Sequence, residues 1–135
     1  MNRAIEIHDS ELESVIGNSD DVVLRFSKVY IHSSEGLPRA DPGSGWLQPA
    51  VLRIRNGVVH GSISGLPCWL ADGSVTLDCA ISHNLIPIPL NYDGRVEVSL
   101  TSSLGESMVV QGDQVALELI GEAQYLEQFP GEDSA

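Results

Sequence analysis

The stretch Asp93-Gly94-Arg95-Val96-Glu97-Val98-Ser99-Leu100-Thr101 decides the fold class. Its apolar residues fall on every second position. Val96, Val98 and Leu100 therefore share one face of an extended strand, with Arg95, Glu97 and Ser99 on the other. The same period of two recurs outward from it, in Ser74-Val75-Thr76-Leu77, in residues 114–120 and in Val22, Leu24 and Phe26. Asn56-Gly57, Asp72-Gly73, Asp93-Gly94 and Gly112-Asp113 stand beside such runs, and each reads as a tight hairpin turn. The expected fold is all-β: an antiparallel sandwich or partly closed barrel of about nine or ten strands. Residues 10–16 are the ambiguous segment. Ser10 and Glu13 form a capping box, which argues for a helix, but Leu12, Ser14 and Ile16 alternate, and the strand is preferred. Ile86-Pro87-Ile88-Pro89-Leu90 must be extended, and its prolines suit an edge or a crossing. The expected core holds Ile5, Ile7, Leu24, Phe26, Leu52, Ile54, Leu77, Val96, Val98, Leu117 and Leu119.

A chain of 135 residues fits one domain, here residues 1–129 with a polar tail at 130–135. Nothing in it approaches the roughly 20 apolar residues that cross a bilayer, and the opening lacks the apolar run of a signal peptide. The expected location is the cytoplasm, with Cys68 and Cys79 as reduced thiols. Nineteen acidic residues face seven basic ones, for a net charge of -12. That surface repels the phosphates of nucleic acids and of anionic lipids, so neither is an expected partner. A basic protein surface would be attracted.

No phosphate-cradling loop, nucleophile elbow or zinc signature occurs, and neither cofactor nor metal is expected. Four histidines are the first candidates for proton chemistry. His8-Asp9-Ser10 sets three catalytic residue types in a row, but neighbours on a strand point to opposite faces, so no bonded triad is expected there. Tyr30 and His32 share a strand face, and His60 on a paired strand would complete a polar cluster. Residues 33–45 form the one long irregular stretch. It carries Arg39 and Asp41 and ends at Trp46, residues suited to recognition on a loop held by a scaffold. The candidate binding residues are thus Tyr30, His32, Arg39, Asp41, Trp46 and His60, with no catalytic residue assigned.

Glu6-Ile7-His8-Asp9-Ser10 at the start, Tyr30-Ile31-His32-Ser33, and Gly121-Glu122-Ala123-Gln124-Tyr125 with Phe129-Pro130-Gly131 at the end resemble a family of small, uncharacterised, β-rich bacterial proteins. The resemblance covers nearly the whole chain and implies no activity. Two functions fit these features. The first is a non-enzymatic binding or assembly module for a protein partner or a second copy of itself. The second is a small-molecule-binding barrel, or minor enzyme, built from the Tyr, His, Arg and Trp residues.

Overall fold

The computed structural model describes residues 2–37 and 41–129. They form ten strands and, among the described residues, no helix. In chain order these are β1 (Asn2–Gly17), β2 (Asp21–Ser34), β3 (Gly43–Arg55), β4 (Val58–Gly61) and β5 (Cys68–Leu77). After them come β6 (Ala80–His83), β7 (Leu85–Ile88), β8 (Asn91–Ser102), β9 (Ser107–Leu119) and β10 (Gln124–Phe129). Residues 10–16 are strand, as the alternation predicts.

Hydrogen bonding decides between sandwich and barrel. β1 pairs with β2, β2 with β3, β3 with β9, β9 with β8, β8 with β5, and β5 returns to β1. Six antiparallel strands therefore close a barrel. The other four lie outside it, each on one neighbour: β4 on β9, β6 on β5, β7 on β1 and β10 on β3. The proline-bearing segment is β7, bonded along one side, where a residue without an N–H does least harm.

The glycine dipeptides do not close hairpins. Asp72-Gly73 lies inside β5, Asp93-Gly94 inside β8 and Gly112-Asp113 inside β9, with register shifts after Leu70 in β5 and after Asp93 in β8. Asn56-Gly57 is a kink between β3 and β4, which run on along β9 instead of folding back on each other. The physical reason is curvature. Long strands close a six-stranded barrel only if they bend, and glycines and bulges are where a strand bends. A Cβ on Gly112 would stand 2.4 Å from Ile54 Cγ2 and 2.6 Å from the Arg55 carbonyl oxygen. The chain reverses instead at residues 18–20, at 35–42, at Asp78-Cys79 and at 103–106. The irregular stretch is shorter than expected, because β2 runs on to Ser34 and β3 already begins at Gly43. Cys79 sits exposed on its turn, and Cys68 is half-buried; both are free thiols.

The barrel interior is one apolar cluster. Eight of the eleven expected core residues are buried in it, while Leu77, Leu117 and Leu119 pack against its rim. The difference should be measurable. Leu24→Ala should destabilise the protein by about 2–5 kcal/mol in chemical denaturation. Leu117→Ala should cost roughly half as much, since the transfer loss scales with buried area. Equal losses would place Leu117 in the interior.

Candidate functional site

Among the described residues, a bulge brings Glu6, His8 and Asp9 together. Between the pairs Glu6–Tyr30 and Glu11–Lys28, β1 uses residues 7–10 where β2 uses only Val29. β2 is also irregular against β3 between Phe26 and Val29. The inward position thus switches from Ile5 and Ile7 to Leu12 in β1, and from Leu24 and Phe26 to Val29 and Ile31 in β2. Ser10 repairs the ladder: its hydroxyl donates to the Glu6 carbonyl at 2.8 Å and accepts the Tyr30 N–H at 3.2 Å. Asn84, at φ +58°, stitches the other side. Its N–H donates to the Gly73 carbonyl at 2.8 Å, and its carbonyl accepts the Ile7 N–H at 3.0 Å. Its side-chain oxygen accepts the His8 N–H at 2.8 Å.

This bulge overturns the expectation for His8 and Asp9. Out of regular strand geometry, adjacent residues do meet: His8 Nε2 lies 3.0 Å from Asp9 Oδ2. Ser10 takes no part, since its hydroxyl serves the backbone. The Asn84 amide group faces His8 Nδ1. An amide N–H can only donate, so Nδ1 is the acceptor and the ring proton sits on Nε2, toward Asp9. Glu6 adds a buried carboxylate, and donor atoms of Glu6, His8 and Asp9 all lie within 4.8 Å of one another. Such a set has the donor types for a divalent cation, but the tautomer fixed by Asn84 turns the Nε2 proton, not a lone pair, toward the carboxylates.

Tyr30 and His32 do share a face, as predicted, but it is the outer face of the barrel and both are buried, at 6% and 0% exposure. The neighbouring β3 makes room for them. A Cβ on Gly45 would meet the Tyr30 phenol oxygen at 2.2 Å, and one on Gly43 would stand 3.0 Å from His32 Nε2. Gly43-Ser44-Gly45 is therefore strand under two rings, not a pocket-framing loop. Tyr30 donates its phenol proton to Glu127 of β10 at 2.8 Å. Burial, that bond and the nearby charges of Glu127, Glu6 and Asp9 push its ionisation far above the ordinary value of 10.0. Burial holds His32 below its ordinary 6.5.

The remaining candidates do not join this group. Asp41 closes its own loop by accepting the Leu37 N–H. Trp46 lies on the opposite face of β3, with its indole N–H on Ser44 Oγ at 2.7 Å and its ring edge-on to Tyr125 at 5.4 Å between centroids. His60 is exposed on β4, beside Gln111 at 3.2 Å and separated from β2 by β9 and β3. Arg39 lies outside the described residues. Glu6, Asp9 and Glu127 were missed, because only the bulge and the β3–β10 pairing bring them to Tyr30, and Asn84 was missed because only the fold brings it to His8.

Trp46 instead lines a cavity of about 240 Å³ at one end of the barrel, with Arg3, Ile31, Ser33 and Ala123. A larger groove, about 570 Å³, lies beyond the other end of β3, and none of the predicted site residues lines it. No protein-family model, curated protein or solved structure matches the chain.

His32 generates a pH prediction. Its folded-state pKa is depressed, so below about 6.5 the unfolded chain takes up a proton that the folded one refuses. Its contribution to stability is present above that pH and lost as pH falls. The drop in melting temperature from pH 7 to pH 5 should be smaller in His32→Gln than in the native protein. Equal drops would show that His32 titrates normally.

Proposed function

We propose that this protein is a non-enzymatic binding module that adds an extended, positively charged segment of a protein partner to the outer edge of β10. The observation that carries the reading is β10 itself. Among the described strands it bonds only to β3, which leaves its second row of N–H and C=O groups open. Tyr125 and Leu126 point to opposite faces of it and are 57% and 49% exposed. Native edges are usually guarded by lysine, proline or charge, whereas Gln124-Tyr125-Leu126-Glu127-Gln128-Phe129 offers one charge, already bonded to Tyr30. Strand addition to such an edge draws affinity from the main chain and specificity from alternate side chains.

The net charge of -12 selects the partner. Two copies of this chain would repel, whereas a segment rich in lysine and arginine would be drawn in, faster at low salt. The scatter of the Tyr, His and Trp candidates over both faces of the sheet and a distant strand favours a binding module over a minor enzyme. Likeness to small bacterial β-rich proteins belongs to the same proposal.

Display of random peptides on the immobilised full chain tests it. Selected peptides should alternate apolar and basic residues and perturb amide resonances of β10 and β3. Leu126→Lys should abolish their binding. Peptides without basic enrichment, or perturbations mapping elsewhere, would overturn it. So would a dimer at tens of micromolar that Leu126→Lys dissolves, which would make the occupant a second copy.

A further inference from the structure

We propose that the barrel mouth is a separate binding site for a small apolar carboxylate. Its walls are Ile31, Trp46 and Ala123, and the two polar side chains in the lining are Arg3 and Ser33. The register explains their convergence: Arg3 pairs with Ser33 across β1 and β2, and Ile31 pairs with Trp46 across β2 and β3. All four share the inward face: Ile31 and Trp46 lie level with Ile5 in the last core layer, and Arg3 and Ser33 lie one step beyond it.

Three features specify the occupant. Ser33 is 4% exposed, and its hydroxyl makes no hydrogen bond to any described side chain or backbone group. That hydroxyl keeps a little accessible surface on the cavity side, so it is free to bond a molecule seated there. Arg3 forms no ion pair among the described residues, although acidic groups outnumber basic ones by nineteen to seven. A guanidinium presents donors in a fork that matches a carboxylate. The third feature is the indole of Trp46, held in place by Ser44 and Tyr125 and so ready as a flat apolar wall.

Size narrows the class. A cavity of about 150 Å³ accommodates one benzene ring. The 240 Å³ here holds one ring with a short acidic arm. The groove of about 570 Å³ is a poorer candidate because no aromatic side chain lines it and two of its carboxylates, Asp78 and Glu97, stand there beside Arg95. Gln111 donates to Glu97 at 3.1 Å, and Asp78 is taken by the Tyr92 hydroxyl and the Arg95 N–H.

The test uses the full chain with phenylacetate and its neutral analogue phenylacetamide. Phenylacetate titration should shift the Trp46 indole N–H resonance, with Trp69 unmoved. Phenylacetamide should bind at least about tenfold more weakly, as expected when a charge-assisted pair is lost. Arg3→Met should weaken phenylacetate by a similar factor while leaving phenylacetamide unchanged. Arg3 is exposed, so that variant keeps the core intact. Arg3→Lys should fall between, because a point charge replaces the fork. Equal affinity for acid and amide, indifference to Arg3→Met, or no Trp46 shift at 5 mM phenylacetate (roughly the weak limit of specific binding) would each overturn the proposal.

Discussion

The structure depends on paired bulges at one level of β1 and β2. A closed six-stranded barrel forces its strands to bend, and a strand that bends without breaking its ladder does so by inserting residues. Here β1 inserts residues 7–10, and β2 is displaced between Phe26 and Val29. Both strands change parity together, so each keeps an apolar row inward on both sides of the bend. Had only one changed, one half of its apolar residues would face solvent. Ser10 and Asn84 make this possible. They supply from side chains, and from one positive-φ residue, the hydrogen bonds that the ladder loses at the bend.

The same bend creates the ionisable cluster. His8 and Asp9 meet only because their segment is no longer a regular strand. Tyr30 lies next to Glu6 because the register resumes there. Its hydroxyl reaches Glu127 across Gly45, a residue with no side chain to block the path. Burial of a phenol beside three carboxylates keeps the proton on oxygen at any physiological pH. Tyr30 therefore acts as a donor tying β10 to the barrel wall through Glu127.

What was legible in the sequence follows from what is local. Alternation in β1, β2, β3 and β8 is a property of neighbouring residues, and it correctly set the fold class and eight buried core positions. The paired face of Tyr30 and His32 was legible for the same reason. The glycine dipeptides were misread because Asp-Gly and Asn-Gly supply flexibility wherever the backbone needs it. A tight barrel needs it within strands as much as between them: a Cβ on Gly73 would stand 2.6 Å from the Ser99 carbonyl oxygen and 2.9 Å from Ile7 Cγ2. Closure, the bulge partners and the mouth cavity join residues as distant in sequence as Arg3, Trp46 and Ala123, which no local pattern connects. Arg3 gave no signal at all, since an exposed arginine in a strand is ordinary until, among the described residues, it is seen in space to have no acidic partner.

The mouth and the open edge are mechanically adjacent. Trp46 lines the cavity with one part of its ring system and meets Tyr125 of β10 with another. Ala123 lines the same cavity, one residue before β10 begins. β10 is otherwise held by its ladder to β3, itself irregular between Tyr125 and Glu127, and by the bond from Tyr30 to Glu127. Trp46 is held by Ser44 and Tyr125, so whatever displaces the indole presses on β10 through Tyr125. A molecule at the proposed mouth site would bear on that contact, and through it on the edge proposed to receive a partner. Two sites sharing a side chain in this way are coupled to the extent that the ligand favours one arrangement of that side chain, and the coupling is necessarily reciprocal.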